Sequence, residues 1–442
     1  MKSIIIGSDA SGGGKTTFTL GLMKALKNRE LSVQGYKVGP DYIDPAFHKE
    51  VTNIESRNLD VHLMGKEGVI YSYKKGCGDV GIIEGVMGLY DGIGAGEEAS
   101  TYDISKILSD MPIILVLSPK GQSSTICAVI KGLKDYKNAN IAGIVLNSVS
   151  EKYYNLLKYS IEKNCDIKVF GYIPKNDEIS LSSRHLGLVQ SMEVLNLNDK
   201  IELCGKMIEQ YVNVDEIINS MKEFKCNNDN NTYSQLNLKD KNLRIGIAKD
   251  KAFSFYYKDN IELLEQIGEI IYFSPMKDKS IPENLDFLYL GGGYPEVFRK
   301  ELTSNETMRS SINTALNNGL RCYAECGGFM YLTEEIEGDA MIGFFQGKSF
   351  MTKRLQRFGY CRVKVDEKVF GHEIEINAHE FHKSCVENNE KTVYTVEKKQ
   401  YNNELISWNC GYAKKNTVAG YAHINFLGNI DFLKSVIGYN II

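Results

Sequence analysis

At 442 residues, 43% of them hydrophobic, the chain exceeds what one core holds and reads as two globular domains. A formal charge of −4 and a pI near 6.1 argue against nucleic-acid or anionic-membrane partners, which call for a basic face. Ten cysteines without zinc spacing read mostly as buried thiols of a reducing cytosol. The apolar runs "MKSIIIG" and "PIILVLSP" fall short of a signal peptide and a membrane span, so a soluble, cytoplasmic protein is expected.

From Ile4 to about Gly171, short β-rich runs ("SIIIG", "SVQGYKVG", "DVGIIEG", "PIILVLS", "IAGIVLN", "IKVFGYIP") alternate with helical periods such as Phe18, Leu22, Ala25, Leu26. Such alternation builds a parallel sheet flanked by helices. At 225–241 the text turns to "KCNNDNNTYSQLNLKDK", too poor in apolar residues to order strongly. A linker is therefore placed at 225–242, between domains at 1–224 and 243–442. The pattern then restarts with "LRIGIAKD", a helix in "YYKDNIELLEQIG", "EIIYFSP", "LDFLYLGGG", a helix near Glu306 to Asn317, and "LRCYAECGG". A second α/β domain follows the first.

The first domain opens with strand, "GSDASGGGKTT", helix. That is the context of a phosphate-binding loop: amides of Gly12, Gly13 and Gly14 cradle phosphates, Lys15 reaches the terminal oxygens, and Thr16 and Thr17 begin the helix, with the Thr16 hydroxyl on Mg²⁺. Asp9 stands where the usual pattern has glycine. In "KVGPDYIDPAFH" the acids Asp41 and Asp44 follow a β-run; in "VGIIEGVMGLYDG" Glu84 ends an apolar strand. Strand ends of a doubly wound sheet face the ligand crevice, so Thr16, Asp41, Asp44 and Glu84 are candidate Mg²⁺ ligands, the alternative for Asp41 and Asp44 being a turn cap. Asn147, closing "GIVLN", is either an adenine contact or a turn residue.

In the second domain "YAECGGFMYL" has the strand, nucleophile, glycine form of a sharp elbow around Cys326. The bland alternative is a buried thiol. A reactive sulfur needs a base, and His423 in "GYAHINF" is its partner. "LGGGYPE" supplies amides of Gly291, Gly292 and Gly293, and the elbow adds Gly327, for an oxyanion hole. "HEFH" at 379–382 lacks H-E-x-x-H spacing, and a zinc reading is set aside.

"SGGGKTTFTLGLMKAL", "KVGPDYIDPAFH", "SRNLD", "EGVMGLYDG", "SRHLGLV", "LYLGGGYPE", "YAECGGFMYL", "MTKRLQRFGY" and "HEFHKS" together resemble the cobyrinate a,c-diamide synthases of cobalamin biosynthesis, across nearly the whole chain. The resemblance implies an α/β fold in two parts: a P-loop, dethiobiotin-synthetase-like parallel-sheet domain, then a class I-type glutamine amidotransferase domain. It implies ATP and Mg²⁺ as cofactors, glutamine as nitrogen donor, a corrin macrocycle as substrate, Cys326 as nucleophile and His423 as base. Each acetate carboxylate would be activated as an acyl phosphate and met by ammonia carried along an enclosed route between the domains. Amidotransferases of this class often place a carboxylate two residues after the base, and the diamide synthases a second His. Asn425 stands there, so a Cys-His dyad is expected.

Lys353, Arg354 and Arg357, with Arg57 and Arg184, either meet substrate carboxylates or form solvated charge. Nickel-sirohydrochlorin as the macrocycle is the alternative within the same chemistry. A cobyric acid synthase shares both domains, but "KVGPDYIDP" and "EGVMGLYDG" favour the a,c-diamide group. A non-catalytic, ATP-gated switch is the alternative of another class, weakened by Ala10 in place of the second lysine such switches carry. The oligomeric state stays open.

Overall fold

The computed structural model describes residues 1–179, 190–194, 196–225, 242–388 and 390–438. The chain divides into two compact units, Met1–Val61 with Gly65–Tyr233 and His62–Met64 with Ser234–Ile442. The expected linker, apart from 225 and 242, and Arg184 lie outside the described residues.

In the first unit the strands are β1 (Lys2–Ser8), β2 (Val33–Val38), β3 (Arg57–Leu59), β4 (Val80–Glu84), β5 (Ile113–Leu117), β6 (Ile141–Asn147) and β7 (Val169–Ile173). They form one parallel sheet in the order β3-β2-β4-β1-β5-β6-β7, with β8 (Lys222–Glu223) antiparallel to the start of β1. β2, β4 and β5 are buried along their whole length, as parallel strands covered on both faces are. The helices are α1 (Lys15–Asn28), α2 (Ile43–Thr52), α3 (Val61–Lys75), α4 (Thr101–Ile107), α5 (Thr125–Asp135), α6 (Glu151–Cys165), α7 (Leu197–Tyr211) and α8 (Val214–Ser220). α1 buries Phe18, Leu22, Met23, Ala25 and Leu26, the stripe its period predicts. Register positions chemistry: Lys37 of β2 pairs with Glu84 of β4, and Glu84 with Ile6 of β1.

In the second unit β9 (Leu243–Ala248), β11 (Gly268–Phe273), β12 (Phe287–Leu290), β14 (Arg321–Glu325), β23 (Tyr412–Lys414) and β24 (Thr417–Gly420) form a sheet in the order β11-β9-β12-β14-β24-β23, parallel except at the last pair. β10 (Phe253–Phe255) pairs with β13 (Gly292–Gly293). β15 (Glu335–Ile336), β16 (Asp339–Ala340), β17 (Lys348–Met351) and β20 (Ser384–Glu387) make a small sheet. β18 (Arg357–Val365), β19 (Ile374–His382), β21 (Tyr394–Lys399), β22 (Leu405–Cys410) and β25 (His423–Ile424) make an antiparallel one in the order β22-β21-β18-β19-β25. Helices α9 (Lys258–Glu265), α10 (Arg299–Ser304), α11 (Glu306–Asn317), α12 (Gly327–Leu332), α13 (Glu367–Phe370) and α14 (Ile430–Ile437) complete the unit. Among the described residues no helix is long and apolar enough to cross a membrane.

Candidate functional site

Two separate constellations carry chemistry. In the first unit β1 ends at Ser8 and α1 starts at Lys15, and the loop between turns through Gly12 (φ +77°) and Gly14 (φ +95°), left-handed positions that glycine takes without strain. A side chain at Gly14 has no room either, since its Cβ would lie 2.2 Å from Asn147 Nδ2. The Asn147 amide, at the end of β6, donates to Gly13 O (3.3 Å) and Ser118 Oγ (3.0 Å), and Ser118 Oγ donates to Gly13 O (2.9 Å). Both residues brace the loop from behind. Lys15 Nζ donates to the carbonyls of Ala10 (3.0 Å) and Met87 (2.5 Å). Burial, with the charge of Lys37 adding to it, pulls the Lys15 ammonium down to about 8. Thr17 follows, half-buried in the first turn of α1.

Thr16 Oγ1 donates to Glu84 Oε1 (2.5 Å), and Lys37 Nζ lies 3.1 Å from that oxygen and 2.5 Å from Asp44 Oδ2. His48 Nε2 is 2.7 Å from Glu84 Oε2, and its Nδ1 is 2.9 Å from Ser56 Oγ. Thr16, Asp44 and Glu84 are thus brought together. Asp41 instead turns its Oδ1 to the Ile43 N–H (2.7 Å), capping α2. Lys37 and His48 were not singled out by sequence; their signal was a lysine inside a buried strand and a histidine on the inner face of α2, both next to Glu84. Burial opposes every charge here. Lys37 and His48 overcome it at Glu84, holding that carboxyl below its usual range, while burial and the Glu84 charge push Asp44 well up. Burial also opposes the Lys37 ammonium, but Asp44 and Glu84 raise its pKa. The oxygens of Thr16, Glu84 and Asp44, gathered beside the phosphate loop, are the hard donors Mg²⁺ takes together with phosphate.

In the second unit Cys326 sits between β14 and α12 with φ 49° and ψ −106°, a strained turn for a residue with a Cβ. Backbone bonds hold it there: Cys326 N–H to Gly420 O (2.8 Å) and Met330 N–H to Cys326 O (3.0 Å). Crowding explains the glycines behind it, because a Cβ at Gly328 would lie 2.1 Å from Leu290 O and one at Gly327 3.0 Å from Gly293 N. His423, on β25, is buried beside the Cys326 sulfur. Gly292 lies against that ring, its absent Cβ only 2.5 Å from His423 Cε1. Gly291 N–H is taken by the Tyr256 hydroxyl (2.9 Å), while Gly327 follows the cysteine directly and packs against Gly293.

Asn425, two residues after His423, is engaged elsewhere. Its Oδ1 accepts from the Leu427 N–H (3.0 Å), capping the turn at Phe426–Gly428. The carboxylate beside the ring is Glu325, its Oε1 3.8 Å from His423 Nδ1. On another side His379 stacks on His423 (centroids 5.0 Å, 18° between planes), with its Nε2 2.8 Å from the Tyr257 hydroxyl. Burial opposes the charged His423 ring, but the Cys326 sulfur and then Glu325 raise its pKa to about 10. Burial and the charge of His423 push His379 well below the ordinary histidine range. Arg57 is buried on β3, whereas Lys353, Arg354 and Arg357 are exposed, the Arg357 guanidinium lying over Trp408 (4.6 Å).

Residues 4–189 match the family described as a CobQ/CobB/MinD/ParA nucleotide binding domain, and residues 244–430 the one described as a CobB/CobQ-like glutamine amidotransferase domain. Over 442 residues the chain is 57% identical to a cobyrinate a,c-diamide synthase of Clostridium acetobutylicum, covering 99% of this chain and 100% of that one. It is 54% identical to the Clostridium tetani protein of the same name over 443 residues, with the same coverage. A Listeria innocua protein of that name is 41% identical, with 99% of each chain covered.

Proposed function

The chain belongs to the cobyrinate a,c-diamide synthase family, glutamine-dependent ligases that join a phosphate-loop domain to an amidotransferase domain, and from that membership we propose that it amidates the a and c acetate carboxylates of cobyrinate with ATP and glutamine. One observation carries the reading: a single chain holds both a phosphate cradle closed by Lys15 and a thiol elbow faced by a buried histidine. Neither alone makes an amide from a carboxylate.

A carboxylate resists amines because it is already anionic and its oxygen leaves poorly. Phosphoryl transfer solves this: a carboxylate oxygen attacks the γ-phosphorus of ATP, ADP leaves, and an acyl phosphate forms. Gly12 to Thr17 and Lys15 would hold the nucleotide. Thr16, Glu84 and Asp44 would hold Mg²⁺, which when bound spreads the phosphate charge. Lys37, with His48, keeps those acids in place between turnovers. Ammonia then attacks the acyl carbon and phosphate departs.

Near neutral pH free ammonia is mostly ammonium, and an acyl phosphate hydrolyses in water, so nitrogen is best released and used inside the protein. The Cys326 thiolate attacks the glutamine carboxamide, and amides at Gly292, Gly293 and Gly327 would receive the oxyanion. His423 gives its proton to the leaving NH₃. Water clears the glutamyl thioester, and glutamate leaves.

The test supplies ATP and glutamine with cobyrinic acid, sirohydrochlorin or nickel-sirohydrochlorin, and reads products by mass. Two hydroxyl-to-amide exchanges on cobyrinic acid alone are expected. Amidation of the nickel macrocycle alone would move the substrate assignment, and no ATP-dependent amide on any of them would overturn the proposal. Cys326→Ser is expected to lose glutamine-dependent synthesis and keep ammonia-dependent synthesis.

A further inference from the structure

We propose that Glu325, the residue immediately before the nucleophile, is the acid that positions His423, in place of the carboxylate missing at Asn425. This rests on the glutamine-hydrolysing reading of Cys326. Glu325 ends β14, and neighbouring side chains on a strand alternate between faces. The left-handed turn at Cys326 breaks that alternation, so sulfur and carboxylate both reach the same imidazole.

The carboxylate is itself fixed. Glu325 is 1% exposed; its Oε1 accepts from the Tyr289 hydroxyl (2.8 Å), and its Oε2 from the Tyr323 hydroxyl (3.0 Å) and the Ile424 N–H (3.3 Å). Two hydroxyls on the central sheet therefore aim it, and one bond ties it to the residue after His423. Asn260 secures the same short strand, donating to Ile424 O (2.8 Å) and accepting from Phe426 N–H (2.7 Å). The 3.8 Å from Glu325 Oε1 to His423 Nδ1 is long for a hydrogen bond, as such bonds are before substrate draws the site together. Glu325 selects Nδ1 as the proton-bearing atom facing it and leaves Nε2 to exchange a proton at the sulfur and the departing nitrogen. The titratable groups seen around the ring among the described residues are Cys326 and Glu325 from the end of β14, and neutral His379 from β19.

Glu325→Gln keeps the shape and removes the charge. In the full-length enzyme, glutamine hydrolysis should lose about 10²-fold or more in kcat with KM little changed, by analogy with amide replacement of a triad acid. The alkaline limb of kcat/KM for glutamine, which follows loss of the His423 proton, should move to lower pH by on the order of one unit. ATP-dependent synthesis from ammonia should stay within threefold, which also reports an intact fold. Asn425→Ala, checked for the same ammonia activity, should keep the pH limb where it is. A Glu325→Gln enzyme with unaltered kcat or an unmoved limb overturns this inference alone. A native chain that does not hydrolyse glutamine overturns both it and the reading beneath it.

Discussion

The charge states of single side chains decide what each site can do. Lys15 holds its proton less tightly than an ordinary lysine, with a pKa near 8 set by burial and then Lys37. Phosphate favours the ammonium, so nucleotide binding should take up close to one proton at pH 9 and almost none at pH 7, and affinity should fall up to tenfold per pH unit above about 8. Calorimetry in buffers of differing ionisation heat checks this; equal uptake at both pH values would contradict it. Lys37 is the only ammonium placed between Glu84 and Asp44 among the contacts described. Lys37→Met should therefore cost about 3–5 kcal/mol in the unfolding of the first unit, as removing one partner of a buried ion pair does; a loss under about 1 kcal/mol would mean the acids simply take up protons. Cys326, Lys15, Thr16 and Glu84 could be named as candidates from the sequence because each sits in a local signature, and His423 from its place on a late β-run. Lys37, His48 and Glu325 could not, because their partners are set by strand register and by one turn's φ angle. Glu325 stood inside the quoted elbow, overshadowed by the cysteine beside it and by the spacing that pointed to Asn425.

At the scale of elements, both sites lie where a strand runs into a helix through glycines, and the strands themselves were readable from their buried apolar runs. β3 is the exception among those that bear on the site, three residues long and seen only as the motif "SRNLD". The glycines make a separable prediction. Gly14→Ala puts a Cβ 2.2 Å from Asn147 Nδ2 at φ +95°, so nucleotide binding should be lost while glutamine hydrolysis survives. Gly292→Ala puts a Cβ 2.5 Å from His423 Cε1 and should do the reverse, with a loss of about 10²-fold expected from a displacement near 1 Å. Nucleotide titration and glutaminase assays on the two variants check this; a variant that impairs both activities equally would show that the damage is to folding rather than to a site. The pairing of short antiparallel strands in the second unit was not legible, since β15, β16 and β25 have two residues each and their order is fixed by contacts distant in sequence.

For the whole molecule, the two-part organisation was visible from the repeated α/β pattern and from the polar stretch between its halves. With a net charge of −4, recognition of a polycarboxylate falls to local cations rather than to the overall field. Lys353, Arg354 and Arg357 are exposed and retain that role as a proposal; sequence alone could not separate it from ordinary surface charge. In the proposed function the first unit turns a carboxylate into an acyl phosphate for nitrogen freed by the second. Cobyrinic acid carrying ¹⁸O in its acetate carboxylates, turned over with ATP and glutamine, tests it most directly. One ¹⁸O should appear in inorganic phosphate for each amide formed; unlabelled phosphate, or label carried in AMP, would contradict it.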